Sequence, residues 1–253
     1  MRNEFAKVIT KLAMANPEVI LLSGDIGNRL FDTLKHERSQ QFVNCGVAEA
    51  NMIGVACGLG MGGFKPFVYT IAPFVTTRCL EQIRVDLAYH EVPVTIVGTG
   101  SGLSYASLGP THHSLEDFAI FRAIPNINIY APWDRASLRI CLSECLKSYG
   151  PNYIRIGKKG EPEITKTEDA LRVSGYYQIS SEGKVAIISV GTIASECLIA
   201  REILERKNIK TTLYLFQQVK PFPVQSINEV LSRHENILIV EEHSKTGGFG
   251  ESI

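Results

Sequence analysis

Val43-Asn44-Cys45-Gly46-Val47-Ala48-Glu49-Ala50-Asn51-Met52 is the stretch on which the fold turns, because it sets one carboxylate, Glu49, between the end of a strand and the start of a helix. The strand reads as buried and breaks at Gly46, and the helix continues through Ile53, Cys57 and Met61. Small residues follow at Gly54, Ala56, Gly58, Gly60, Gly62 and Gly63, so backbone can approach a neighbouring element or ligand, at some cost in helix propensity. The plainest account of Glu49 is electrostatic: a carboxylate at a helix N-terminus complements the macrodipole and contributes up to about 1 kcal/mol.

Working outward, helices and strands alternate. Phe5, Val8, Ile9 and Leu12 recur at helical spacing and precede an apolar strand at 19–22, which ends in the turn Asp25-Ile26-Gly27-Asn28-Arg29. A strand at 67–70 leads through Ile71-Ala72-Pro73-Phe74 into a helix carrying Leu80, Ile83, Leu87 and Ala88. A strand at 92–97 opens the Gly-rich loop Gly98-Thr99-Gly100-Ser101-Gly102, which runs to His113. That loop lacks the Gly-Lys-Ser/Thr ending of a nucleotide P-loop and does not match Gly-x-Gly-x-x-Gly. Ser114-Leu115-Glu116-Asp117 reads as a capping box, which would hold His112 just ahead of a helix start. A strand at 127–130, a helix at 134–147 and a strand at 153–156 complete the pattern, which predicts an α/β fold with a mostly parallel sheet and helices on both faces.

Lys158-Lys159-Gly160-Glu161-Pro162-Glu163 breaks the alternation. It divides the chain into a first unit at 1–157, a linker at 158–172 and a second α/β unit at 173–253. The second unit shows strands at 185–190, 212–216 and 237–240 and a helix carrying Leu198, Ile199, Ile203 and Leu204, and it ends as another helix begins.

With 253 residues and 45% hydrophobic composition the chain can bury a sizeable core. Lys plus Arg and Asp plus Glu each total 26, so no net field favours nucleic acid or an anionic membrane, and an anionic ligand must be held locally. No apolar run approaches the roughly 18 residues of a membrane span, and Arg2, Glu4 and Lys7 stand where a signal peptide needs an apolar core. A cytoplasmic location is expected. Cysteines at 45, 57, 79, 141, 145 and 197 form no Cys-x-x-Cys and read as buried thiols, without disulfide or zinc.

Gly-Val-Ala-Glu followed by Asn-Met and a Gly/Ala-rich helix resembles the pyrimidine-binding domain of the transketolase family and of 1-deoxy-D-xylulose-5-phosphate synthase. The resemblance continues through Lys65-Pro66-Phe67, Gly109-Pro110-Thr111-His112-His113 and Arg122-Ala123-Ile124-Pro125-Asn126, in the family's order, and extends into a C-terminal domain whose last strand and helices are missing here. It implies a thiamine-diphosphate enzyme that transfers a two-carbon ketol unit between sugars or sugar phosphates. In that family a carboxyl group hydrogen-bonded to the pyrimidine nitrogen makes the ring's amine basic enough to deprotonate the thiazolium. Glu49 is the matching residue, Phe74 matches the aromatic that stacks on the pyrimidine, and Ile71 stands where a second aromatic is common. Asp25 becomes a cofactor contact, His112 a histidine facing substrate hydroxyls, and Arg29 and Lys158 contacts for a substrate phosphate.

Two departures bear on substrate. Leu108 replaces an acidic residue that recognises a sugar hydroxyl, and a histidine expected near Gly100 is absent, which points to another ketose, a non-phosphorylated sugar or a smaller acyl donor. The Gly-Asp-Gly motif with which the family holds the cofactor's diphosphate and Mg2+ is also absent. The chain is therefore expected to act with an N-terminal-type subunit carrying that motif, in a heterotetramer of two copies each. Two other functions fit the same domain order. One is a decarboxylating component similar to deoxyxylulose-phosphate synthase or to the 2-oxo-acid dehydrogenase β subunits, and the other is a non-catalytic α/β binding or assembly module.

Overall fold

The computed structural model describes residues 1–27, 29–158, 160–166, 175–179 and 183–253. Helix Arg2–Ala15 leads to β1 (Val19–Ser23), helix Asp32–Glu37 and β2 (Phe42–Asn44), and then to helix Glu49–Met61 and β3 (Lys65–Ile71). After the turns that carry Phe74 come β4 (Thr95–Thr99), helix Asp117–Ala123, β5 (Asn128–Tyr130), helix Arg135–Lys147 and β6 (Asn152–Ile156). The chain closes with β7 (Tyr176–Ile179), β8 (Val185–Val190), helix Ala194–Arg206, β9 (Thr211–Phe216), β10 (Gln218–Lys220), helix Val224–Arg233 and β11 (Asn236–Glu241).

Two sheets result. The first has seven strands in the order β10-β5-β6-β4-β3-β1-β2, parallel except for β10, and the second has four in the order β11-β8-β9-β7 with β7 antiparallel. Successive residues of β1 and β3 enter opposite cores: Ile20, Leu22 and Val68 pack with Met52, Ile53 and Phe118, while Leu21, Phe67 and Tyr69 pack with Phe5, Ile9 and Leu138. A strand covered on both faces has to be apolar throughout, so helices lie on each side. The α/β expectation holds.

Register fixes where the loops emerge. Ser23 lies beside Asn44 and Tyr69, Ile71 beside Thr99, and Thr99 beside Ile156, so β1, β2, β3, β4 and β6 all end along one edge. The chain reverses its direction of travel across the sheet between β1 and β3, where open sheets carry ligand crevices. All the candidate residues follow these ends.

Several local expectations are corrected. The strand before Gly46 is a partly exposed edge strand, because β2 has a neighbour only on its β1 side. β4 begins at Thr95 rather than 92, since Pro93 has no N–H to give to a ladder. Ile199 and Ile203 face outward from their helix, which buries Ala194, Cys197 and Arg201 instead. β10 had no signal in the sequence, yet it carries the second half of the chain onto the edge of the first sheet. Of the expected linker at 158–172, Lys159 and residues 167–172 lie outside the described residues.

The capping box at Ser114 does not form. The helix starts at Asp117 after Glu116, with no side-chain cap, while the true capping box joins Asp134 and Ser137 at the next helix. Asp117 turns inward: Oδ2 accepts from Tyr153 at 2.7 Å and Oδ1 from Arg155 at 2.9 Å. Arg155 also donates to the Glu242 carbonyl at 2.6 Å, which ties the edge of the first sheet to the end of β11. Both charged side chains are 1% exposed, so Asp117→Ala would strand a buried cation. The expected loss is about 3–5 kcal/mol of unfolding free energy. Urea denaturation measures it, and a loss below about 1 kcal/mol would show that the pair carries little of the joint.

Candidate active site

Glu49 is the first residue of its helix and is 3% exposed. Its Oε2 accepts from Arg78 Nη1 at 2.8 Å, an ion pair in addition to the helix dipole. The turn before it is braced from β1: Asp25 Oδ1 accepts from Asn44 Nδ2 at 2.9 Å, and Asn44 Oδ1 accepts from the Gly46 N–H at 2.9 Å. Asp25 holds φ +53°, a left-handed conformation at which Asp is tolerated. It therefore braces the Glu49 turn through one of its oxygens while remaining exposed at the strand end.

Phe74 lies on the short helical turn Ala72–Val75 directly after β3, with its face under the Arg78 guanidinium, whose carbon is 4.2 Å from the ring centroid. His112 meets the same ring edge to face, centroid to centroid 5.0 Å. Thr111 Oγ1 and His112 Nδ1 are 2.9 Å apart, which fixes the imidazole's orientation. Tyr105 stands 6.0 Å beyond His112, and Lys158 Nζ lies 4.6 Å above the Tyr105 ring. A continuous chain of contacts thus joins Glu49, Arg78, Phe74, His112, Tyr105 and Lys158. A cleft of about 280 Å³ opens beside Phe74 and Arg78, lined also by Thr111, His113 and Glu116 among others.

Lys158 also borders a larger cleft of about 700 Å³, with Arg2, Lys7 and Arg29 on its walls. Among the described residues four cations and no carboxylate line it, which suits an anionic group. Arg2 is anchored there by donating from Nε to the Tyr69 hydroxyl at 3.0 Å.

The structure therefore brings Glu49, Phe74 and His112 into one contact chain and sets Arg29 and Lys158 in the adjoining basic cleft. Ile71 ends β3, half-buried, and precedes the Phe74 turn. Sequence reading missed three residues. Arg78 follows Phe74 by four positions in a turn, and Arg2 reaches the cleft from the other end of the domain, so neither carries a local signal. Tyr105 could have been noticed as the aromatic of the Gly-rich loop. Its ring closes the space beside Gly100, where, at φ +88°, an added Cβ would run into it. No side chain fits there.

The six cysteines are free thiols, five of them buried. Burial, then the nearby Glu49 carboxylate, push the Cys79 thiol up to about 12, so it remains protonated beside the site. No helix among the described residues is long and apolar enough to cross a membrane.

Comparison with known proteins identifies the family. Residues 1–161 match the family model for the transketolase pyrimidine binding domain, and residues 175–253 match that for the transketolase C-terminal domain. The chain is 33% identical over its whole length to an apulose-4-phosphate transketolase subunit of Phocaeicola vulgatus, covering 81% of that protein. It is 28% identical to the 6-deoxy-6-sulfo-D-fructose transketolase subunit SqwH of a Clostridium species, of which it covers 79%. A solved structure described as a split gene transketolase, inactive beta4 tetramer, superposes on 99% of the chain with a TM-score of 0.89 at 28% identity, covering 82% of that protein. Two matched family models span most of the sequence, with a relative one-third identical over the whole chain, and the chain belongs to the transketolase family.

Proposed function

We propose that this chain is the pyrimidine-facing subunit of a two-chain, thiamine-diphosphate-dependent enzyme that moves a two-carbon ketol unit between sugars or sugar phosphates. One observation carries the reading: a buried carboxylate and a half-buried aromatic face lie on either side of a single planar group, the Arg78 guanidinium. Such a slot fits a flat heteroaromatic ring that pairs with a carboxyl at one nitrogen and stacks on one face. Glu49 and Phe74 would hold that ring, with Asp25 and Ile71 as further cofactor contacts. The bound cofactor supplies a ring carbon able to attack a ketose carbonyl, which no protein side chain provides.

The chain's own residues account for the rest. Glu49, kept from water, exchanges a proton with the ring nitrogen without competition from solvent. His112, with Nδ1 engaged by Thr111, has Nε2 for proton exchange at a substrate hydroxyl. Arg2, Arg29 and Lys158 take the anionic end of the sugar. The names of two relatives carry a 4-phosphate and a 6-sulfo group respectively, and the basic cleft supports a ketose bearing a comparable charge. Lys158→Ala is expected to raise KM for an anionic ketose roughly tenfold with little change in kcat. A KM that rises equally for an uncharged ketose would remove the anion assignment.

The diphosphate and Mg2+ are assigned to a partner subunit carrying the Gly-Asp-Gly motif, in a cytoplasmic heterotetramer of two copies of each chain. Among the described residues no cluster of three His, Cys, Asp or Glu side chains suits a metal. The helix that starts at Glu49 supports a covered interface: Gly54, Val55, Gly58 and Met61 are exposed on one side of it, and Val47 precedes it. Side-chain space at Gly54 and Gly58 is empty, so another helix could approach closely. Residues 1–157 are assigned to the cofactor-facing unit, 158–172 to the linker and 173–253 to the second unit.

A further inference from the structure

We propose that Arg78 is a built-in occupant of the pyrimidine-ring position, a side-chain latch that the cofactor must displace in order to dock. The inference rests on the thiamine-diphosphate reading of Glu49 and Phe74. Both interactions that reading assigns to the ring are already made by one guanidinium. Its Nη1 donates to Glu49 Oε2 at 2.8 Å, and its plane covers Phe74 at 4.2 Å. An arginine head is flat, delocalised and rich in N–H donors, which makes it the side chain best able to stand in for an aminopyrimidine.

The surroundings suit a latch. Thr76 Oγ1 donates to the Ala72 carbonyl at 2.9 Å, and Cys79 Sγ to the Phe74 carbonyl at 3.3 Å. The backbone on either side of Arg78 is thereby pinned. The Arg78 side chain itself is 46% exposed, so it can swing into solvent without unfolding the turn. While in place it spares Glu49 from being an unpaired buried carboxylate, a strongly destabilising condition. The incoming ring then replaces one partner with another. Because only the open fraction is competent to bind, a latch closed about nine-tenths of the time weakens apparent cofactor affinity roughly tenfold.

Calorimetric titration of thiamine diphosphate with Mg2+ into the complex with the diphosphate-binding subunit tests this. Arg78→Ala should bind the cofactor roughly tenfold more tightly than the wild type, while the cofactor-free variant melts at a lower temperature. Arg78→Gln, which keeps length without charge, gives the same comparison should the alanine variant not fold. In a Glu49→Gln background the latch has lost its anchor, so substituting Arg78 should change affinity by a factor near one. Unchanged or weaker binding by both Arg78 variants would overturn the latch and leave the thiamine reading standing. A wild-type complex and variants that all fail to bind would overturn that reading and the latch with it.

Discussion

Replacing Glu49 by Gln or Ala in the assembled enzyme is expected to cut ketol-transfer turnover by about 10²–10⁴-fold, the range lost when a positioned proton-transfer group is removed. The chain should remain folded. Glu49 occupies the first position of its helix, where the backbone N–H has no intrahelical partner and a side-chain change disturbs no ladder. Its ion-pair partner is half-exposed, so Arg78 can turn to water once released rather than being stranded. Glutamine keeps the shape and an acceptor oxygen but cannot exchange the proton, so it separates chemistry from packing. Thermal unfolding within a few degrees of the wild type, together with collapsed kcat, is the expected pair of results. Turnover near the wild-type rate in either variant would remove Glu49 from the proton-transfer role.

The parts of the site that could be read in the sequence are those built from short, contiguous segments at strand ends. Glu49 sits three residues after a glycine that breaks a strand, Phe74 at the foot of an apolar run, and His112 in a Gly-rich loop between two regular elements. Parallel topology then gathers these loops along one edge, because register forces β1, β3, β4 and β6 to end together. Residues that join the site from a distance left no such mark. Arg2 lies on the opening helix, and only the packing of that helix against Tyr69 brings it to Lys158. Arg78 belongs to a turn whose shape follows from two side-chain hydrogen bonds to backbone, and periodicity has nothing to say about it.

The same distinction explains the misplaced capping box. Ser114-Leu115-Glu116-Asp117 satisfies the local pattern, but Arg155 and Tyr153 on the neighbouring strand offer Asp117 two stronger partners inside the protein. A charge-assisted pair in a buried site outweighs a backbone cap worth about 1 kcal/mol. β10 was invisible for a related reason: a three-residue strand acquires its identity from its partner, β5, and not from its own composition. Leu108, read in the sequence as a departure from the family, is exposed at the loop's surface. Tyr105 fills the space beside Gly100, and the basic cleft lies beyond it.

The central claim is that the chain encodes the pyrimidine-facing half of an active site and depends on a second polypeptide for the diphosphate half. Magnesium-bridged diphosphate needs hard oxygen ligands held at fixed geometry. The walls offer instead an aromatic face and cations; the carboxylates at or near them are Glu49 and Asp117, each buried and paired with an arginine, and the exposed Glu116. Ring contacts alone leave most of the cofactor's charge unmatched, so affinity and turnover should both collapse without the partner. The direct measurement is thiamine diphosphate binding and ketol transfer by the purified chain, before and after addition of the subunit that carries Gly-Asp-Gly. No Mg2+-dependent binding and no transfer are expected from the chain alone, with both restored in the mixed complex. Robust turnover by this polypeptide as the sole protein present would contradict it.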